Sequence, residues 1–245
     1  MLVLLSPAKT LDFEKSAPVA DFTLPLFLKE AGELAEILRD WSAKDLQKRM
    51  NISENLANVN VERWQRFSAD PRAGKACLFA YVGDVYRGLQ ALTFSVDDIF
   101  YAHDHLRILS GLYGVLRPLD LIQPYRLEMK IAVRGPWGRD LYDLWKPRVA
   151  DVLGEELILN CASNEYAKAV DRRRLRGRWV DVVFQERVGK KLVIRALFAK
   201  LARGMMAAHV VKNRIETLDG VREFHEAGYC FEPTLSSENR VVFVR

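Results

Sequence analysis

The sequence predicts an α+β fold, and three observations carry that prediction. Short β-rich runs of four to eight residues are interspersed with segments whose apolar residues recur at three and four. The order of these segments shows no regular strand–helix–strand rhythm. No Ser/Pro/Gly-rich linker or internal repeat divides the 245 residues, so a single compact domain over 1–245, with a mixed sheet and several helices, is expected.

Taken in order, Met1–Leu5 reads as a first strand, because its apolar run follows no basic residue and is too short for a signal peptide. Ser6–Thr10 ("SPAKT") follows as a loop. Leu24 to Phe67 is helical in period, with Ser42 and Ser53 placed to cap "AKDLQKRM" and "ENLANVNVERWQRF". Pro71 to Gly74 reads as a loop, and Cys77–Val82 as a buried strand. A short helix is expected between Gly83 and Thr93, and Ser95 caps another through "VDDIFYAHDHL". Further on, "GRDLYDLWKPRVADVL" reads as a helix interrupted at Pro147, and "LILNCA" as a short strand. Ser163 caps "NEYAKAV", with Glu165 in its first turn. "WVDVVFQERV" and "LVIRALFA", joined by Gly189-Lys190-Lys191, form a hairpin. "KLARGMMAAHVVKNR" is a helix, and "GYCFEP" and "RVVFVR" are closing strand candidates.

Charge is unevenly spread. The formal net charge is +5, yet residues 160–214 hold 14 Lys+Arg against 4 Asp+Glu, for +10. A concentrated basic region favours polyanions. Part of it is the run "RRRLRGR", Arg172–Arg178, which reads either as an extension of a basic groove or as a mobile loop. No stretch approaches the roughly 20 apolar residues that span a bilayer. The three cysteines, Cys77, Cys161 and Cys230, are odd in number and far apart, which suits buried thiols in a reducing cytoplasm.

The candidate sites are few. In "ILSGLYGVLRP", Gly111 and Gly114 interrupt an apolar run that Arg107 and Arg117 flank. A helix, a glycine turn and a second helix would expose backbone amides to a phosphate, giving a helix-hairpin-helix-like element that reads sugar–phosphate rather than bases. Two residues, Leu112 and Tyr113, stand between the glycines where one is usual, and a structural turn with buried Leu and Tyr accounts for the pattern as well. In Ser6–Thr10, Lys9 lies between hydroxyls after a strand, a place for an anion or an activated amine, though without the glycines of a P-loop. Asn160–Tyr166 ("NCASNEY") marks a strand-to-helix junction without a neighbouring histidine. Lys200 and Arg203 share a helical face. His103 and His105 fall on nearly opposite faces, and CxxC, HExxH and clustered carboxylates are missing, so neither metal nor cofactor is expected.

The segments "LLSPAKTLDF", "GDVYRGLQA", "HLRILSGLYGVLRPLDLIQPYRLEM", "LYDLW", "NCASNEY" and "AKLARGMM", in that order, resemble the peroxide-stress protein YaaA family over essentially the whole chain. The resemblance implies a cytoplasmic bacterial protein that protects against hydrogen peroxide and is linked to limiting free iron. It also implies a positively charged cleft, a helix-hairpin-helix element, binding of duplex and branched DNA, and ties to recombination and repair. Carried over by position, the hairpin falls on Ser110, Gly111, Leu112, Tyr113 and Gly114, flanked by Arg107 and Arg117. Charge adds Lys9, Arg126, Lys200 and Arg203 to the cleft. The alternative is an enzyme acting on damaged DNA, with Asp120 or Asp140 as a carboxylate, or on a phosphorylated small molecule through Ser6–Thr10 and Asn160–Tyr166.

Overall fold

The computed structural model describes residues 1–68, 70, 72 and 74–245. The expected α+β fold is present. In chain order its elements begin with β1 (Leu2–Leu5), β2 (Thr10–Leu11), α1 (Leu28–Arg39), α2 (Ala43–Met50) and α3 (Glu54–Arg66). There follow β3 (Lys75–Ala76), α4 (Cys77–Ala80), β4 (Tyr81–Val82), α5 (Asp84–Leu89), α6 (Val96–His105), β5 (Leu106–Ser110), β6 (Gly114–Leu116) and β7 (Leu121–Ile122). The second half holds α7 (Leu141–Asp151), β8 (Ile158–Asn160), α8 (Asn164–Ala167), β9 (Trp179–Val188), β10 (Lys191–Val193), α9 (Ala196–Lys212), α10 (Leu218–Arg222), β11 (Cys230–Phe231) and β12 (Arg240–Val244).

Eight strands make one mixed sheet, in the order β11-β12-β9-β8-β1-β5-β6, with β10 hydrogen-bonded to β9. The strands β12, β9, β8, β1 and β5 run parallel, and β11, β10 and β6 are antiparallel additions. All four residues of β1 are buried, as a central parallel strand covered on both faces requires. From β1 the chain reaches β5 on one side and later β8 on the other, so the strand order reverses between β1 and β8. Crevices at such switch points, beyond the carboxyl ends of the strands, are where open parallel sheets bind ligands.

Several local expectations hold for the reasons given. Ser42 and Ser95 close reciprocal capping boxes with Asp45 and Asp98, and Ser53 accepts from Leu56 N. Gly189, at φ +60°, turns the β9–β10 hairpin, although β10 ends at Val193 and the rest of the expected second strand, from Ala196, belongs to α9. Others are corrected. Cys77–Val82 is not one strand: α4 is a single buried helical turn and only Tyr81–Val82 is extended. A short apolar run has no periodicity with which to separate the two forms. Helix α7 runs through Pro147 without interruption, held by buried Leu144, Trp145, Val149 and Ala150. Of the expected Pro71–Gly74 loop, Pro71 and Ala73 lie outside the described residues.

The largest correction concerns the glycine pair. The residues around it form an antiparallel β-hairpin, β5 to β6, with Ser110 paired to Gly114, and not a helix-hairpin-helix element. Ser110 through Gly114 are all buried. Ser110 Oγ accepts from the amides of Leu112 (3.2 Å) and Tyr113 (3.1 Å), so the donors proposed for a phosphate are satisfied internally. The glycines are needed for packing. A Cβ on Gly114, whose φ is +69°, would stand 2.6 Å from the Trp145 ring, and one on Gly111 would collide with the Leu127 carbonyl. Trp145 Nε1 also donates to Gly111 O (2.9 Å). A helix-to-helix turn does exist elsewhere, between α2 and α3, where Asn51 adopts φ 51° and ψ 58°.

Candidate functional site

The cleft that opens at the switch point is built by the two segments that follow β1 and β8. Ser163 N donates to Ser6 Oγ (2.8 Å), and the two hydroxyls lie 3.3 Å apart. Tyr86 Oη, from α5, donates to Ser6 O (3.1 Å) and pins the same loop from the other side. Ser6–Thr10 and Asn160–Tyr166, 157 residues apart at these serines, therefore form one wall. The cavity measures about 450 Å³, and Lys9, Lys200, Arg203 and Glu165 line it along with the serines.

Its electrostatics are unbalanced toward positive charge. Lys9 Nζ lies 3.0 Å from Glu128 Oε1, and Arg126 Nη2 lies 3.0 Å from the same oxygen. One carboxylate, only 3 % exposed, thus serves two cations, while its Oε2 has no hydrogen-bond partner. Arg63 lies close enough for the Arg126 charge to act on it: burial, and then that charge, hold its guanidinium below the ordinary range. Lys200 reaches Asp84 only at 3.9 Å. Arg203 is the least compensated. Burial lowers its pKa, the opposing influence comes from the Cys161 thiol and not from a carboxylate, and its buried Nε has no partner. Burial pushes Cys161 up to about 12, so that thiol is protonated at neutral pH.

Of the residues expected from sequence, Lys9, Lys200 and Arg203 converge on this cleft, and Arg126 adjoins it through Glu128. Arg107 and Arg117 do not join them. Both sit near the amino end of β5, where Arg107 donates to the carbonyls of His103 and Leu106, and Arg117 holds Asp120 (2.9 Å) and Leu24 O (3.0 Å). Ser110, Gly111, Leu112, Tyr113 and Gly114 are enclosed, as described above. Asp120 is fully buried and committed to Arg117 and Thr23, and Asp140 caps α7, so neither carboxylate faces the cleft.

The run Arg172–Arg178 is largely answered by carboxylates: Arg172 pairs with Asp181, Arg173 with Asp171, Arg174 with Asp151 and Arg176 with Glu155. Its raw charge overstates what it offers a partner. Glu128, Asp84 and the Ser6–Ser163 contact were not singled out from sequence; the available signal was that Ser6 directly follows β1 and Ser163 lies three residues beyond the end of β8. Cys77 and Cys161 are buried free thiols, whereas Cys230 is exposed. Among the described residues no group of three or more His, Cys, Asp or Glu could hold a metal ion, and no helix is long and apolar enough to cross a membrane.

Fold and cleft together define an α+β protein with a cation-lined crevice at the switch point of a largely parallel sheet. The chain belongs to the peroxide stress protein YaaA family, whose match spans residues 1–235. It is 42% identical to a UPF0246 protein of Alteromonas mediterranea, covering 100% of this chain and 98% of the relative. A UPF0246 protein of Dinoroseobacter shibae is 46% identical over 100% of this chain and 95% of its own length. One of Albidiferax ferrireducens is 43% identical over 100% and 98%.

Proposed function

We propose that this chain serves the response to peroxide stress by binding a phosphate-bearing ligand in the crevice between β1 and β8. The observation that carries the reading is Arg203, whose enclosed Nε has no partner and whose guanidinium pairs with no carboxylate among the described residues, beside two further cations on a cavity wall. A desolvated charge left unpaired costs several kcal/mol, and an anionic ligand removes that cost. Calorimetric titration with inorganic phosphate and pyrophosphate tests it. Arg203→Gln should weaken binding at least about tenfold, since charge-assisted hydrogen bonds contribute roughly 1.5–3 kcal/mol. Equal affinities for the two proteins would end the reading.

A second reading, binding of double-stranded or branched DNA through phosphate contacts, is favoured by the exposure of Lys9 (60 %) and Lys200 (54 %) on the crevice. If roughly 6 phosphates are contacted, log K falls with log salt at a slope near −5. Replacing Lys9 and Lys200 together by Glu should then weaken all sequences alike, and affinity that stays flat across salt would exclude this mode. The proposed setting is the cytoplasm, supported by three unpaired cysteines.

A further inference from the structure

The cation-lined crevice does not stand alone. Val82, Gly83 and Tyr86 also line a neighbouring recess of about 380 Å³, so the two adjoin across a shared wall. That recess is different in kind. Leu78, Phe79, Tyr81, Ala91 and Leu92 give it apolar surfaces, and Lys75 closes its floor by donating to Asp12 O (2.9 Å). Two of its apolar side chains are held out to solvent, Leu92 at 68 % and Val82 at 39 % exposure. Gln90 stands at the rim with its backbone in the left-handed region (φ 50°).

Gly83 lies on the wall that both recesses share. A Cβ there would stand 3.3 Å from Ala8 Cβ, so this wall is packed against the loop that carries Lys9. Beyond Gly83, α5 leads straight to Asp84, the partner of Lys200. The anion-binding and apolar parts are therefore adjacent, with Val82 and Gly83 on the edge between them.

Resting on the anion reading above, we propose that the ligand is a phosphate ester of a flat ring, of the nucleoside 5′-monophosphate class. The phosphate lies against Arg203, Lys9 and Lys200, and the ring lies in the apolar recess beneath Leu92. Pockets for such ligands are mostly apolar with a few convergent polar groups, at combined volumes of about 300–1,000 Å³. Exposed apolar side chains beside a charged site are what a ring would cover. Covering the exposed Leu92 and Val82 with a ring should raise affinity about tenfold over a ringless phosphate.

The test is a titration series on the full chain with inorganic phosphate, ribose 5-phosphate, phenyl phosphate and nucleoside 5′-monophosphates. The ring-bearing esters should bind at least about tenfold tighter than the two ringless ones. Leu92→Asp, at an exposed lip, should erase that advantage and leave inorganic phosphate unchanged. Equal affinity for ringed and ringless esters in the unaltered protein, with phosphate still bound, would overturn the ring site alone. Failure of every member of the series to bind would overturn the anion reading and this inference together. An undiminished ring advantage in Leu92→Asp would also count against it.

Discussion

Helices α5 and α9 meet through two glycines, and a single methyl group should separate them. A Cβ on Gly204 would stand 2.7 Å from Leu89 N and 2.9 Å from Val85 C, with Val85 O nearer still. On the facing helix, a Cβ on Gly88 would stand 2.9 Å from Leu201 C and 3.1 Å from Met205 N. The opposing atoms are backbone and cannot rotate away. To regain ordinary contact in Gly204→Ala, the helices must part by roughly 1.5 Å, which places the cost at or above the upper end of overpacking, about 3 kcal/mol. For a chain of this length that corresponds to a fall in Tm of roughly 6–12 °C. Because α9 carries Lys200 and Arg203 while α5 carries Asp84, phosphate affinity should fall as well. Gly32→Ala is the control: it lies inside α1 with nothing within 4 Å of the added methyl, and helix propensity predicts a gain of about 0.5–1 kcal/mol. Thermal and urea denaturation measure both variants. An unchanged Tm in Gly204→Ala would refute the close-approach argument.

Two further outcomes follow from buried polar groups. Ser110→Ala leaves the amides of Leu112 and Tyr113, and the Tyr125 hydroxyl 2.6 Å away, without their partner. It should cost about 3 kcal/mol and leave phosphate and DNA affinity unaltered, whereas normal stability with weakened DNA binding would restore the glycine turn as a phosphate site. Burial, and then the Arg117 charge, hold the half-buried His103 imidazole below its usual range, and its Nδ1 accepts from Leu119 N (3.3 Å). The unfolded chain takes up that proton first, so stability should fall as pH drops through and below about 6.5, and His103→Gln should flatten the fall. Identical pH profiles for the two proteins would contradict this.

What the sequence made legible was local. Ser42, Ser53 and Ser95 announce helix starts because a cap acts within three residues, and Gly189 announces a hairpin because its turn needs positive φ. The pairings β1–β5 and β1–β8 join segments about a hundred or more residues apart, and no local signal encodes them. The glycine pair was misleading for a physical reason. Glycines three apart look the same whether the room they leave is filled by a phosphate, by the Trp145 ring or by the Leu127 backbone. Lys9, Lys200 and Arg203 were identifiable by charge and position, yet Arg107 and Arg117 had the same credentials and are spent on carbonyls and on Asp120. Charge in sequence is visible, but its compensation by Glu128, Asp120 or Asp181 is a property of the fold.

The most direct examination of the crevice is an anomalous-scattering map from crystals soaked in tungstate, a heavy tetrahedral analogue of phosphate. A peak bounded by Arg203, Lys9 and Lys200, and lost in Arg203→Gln crystals, is the result expected. A peak at the Ser110–Gly114 turn or along Arg172–Arg178, with the crevice empty, would contradict the assignment.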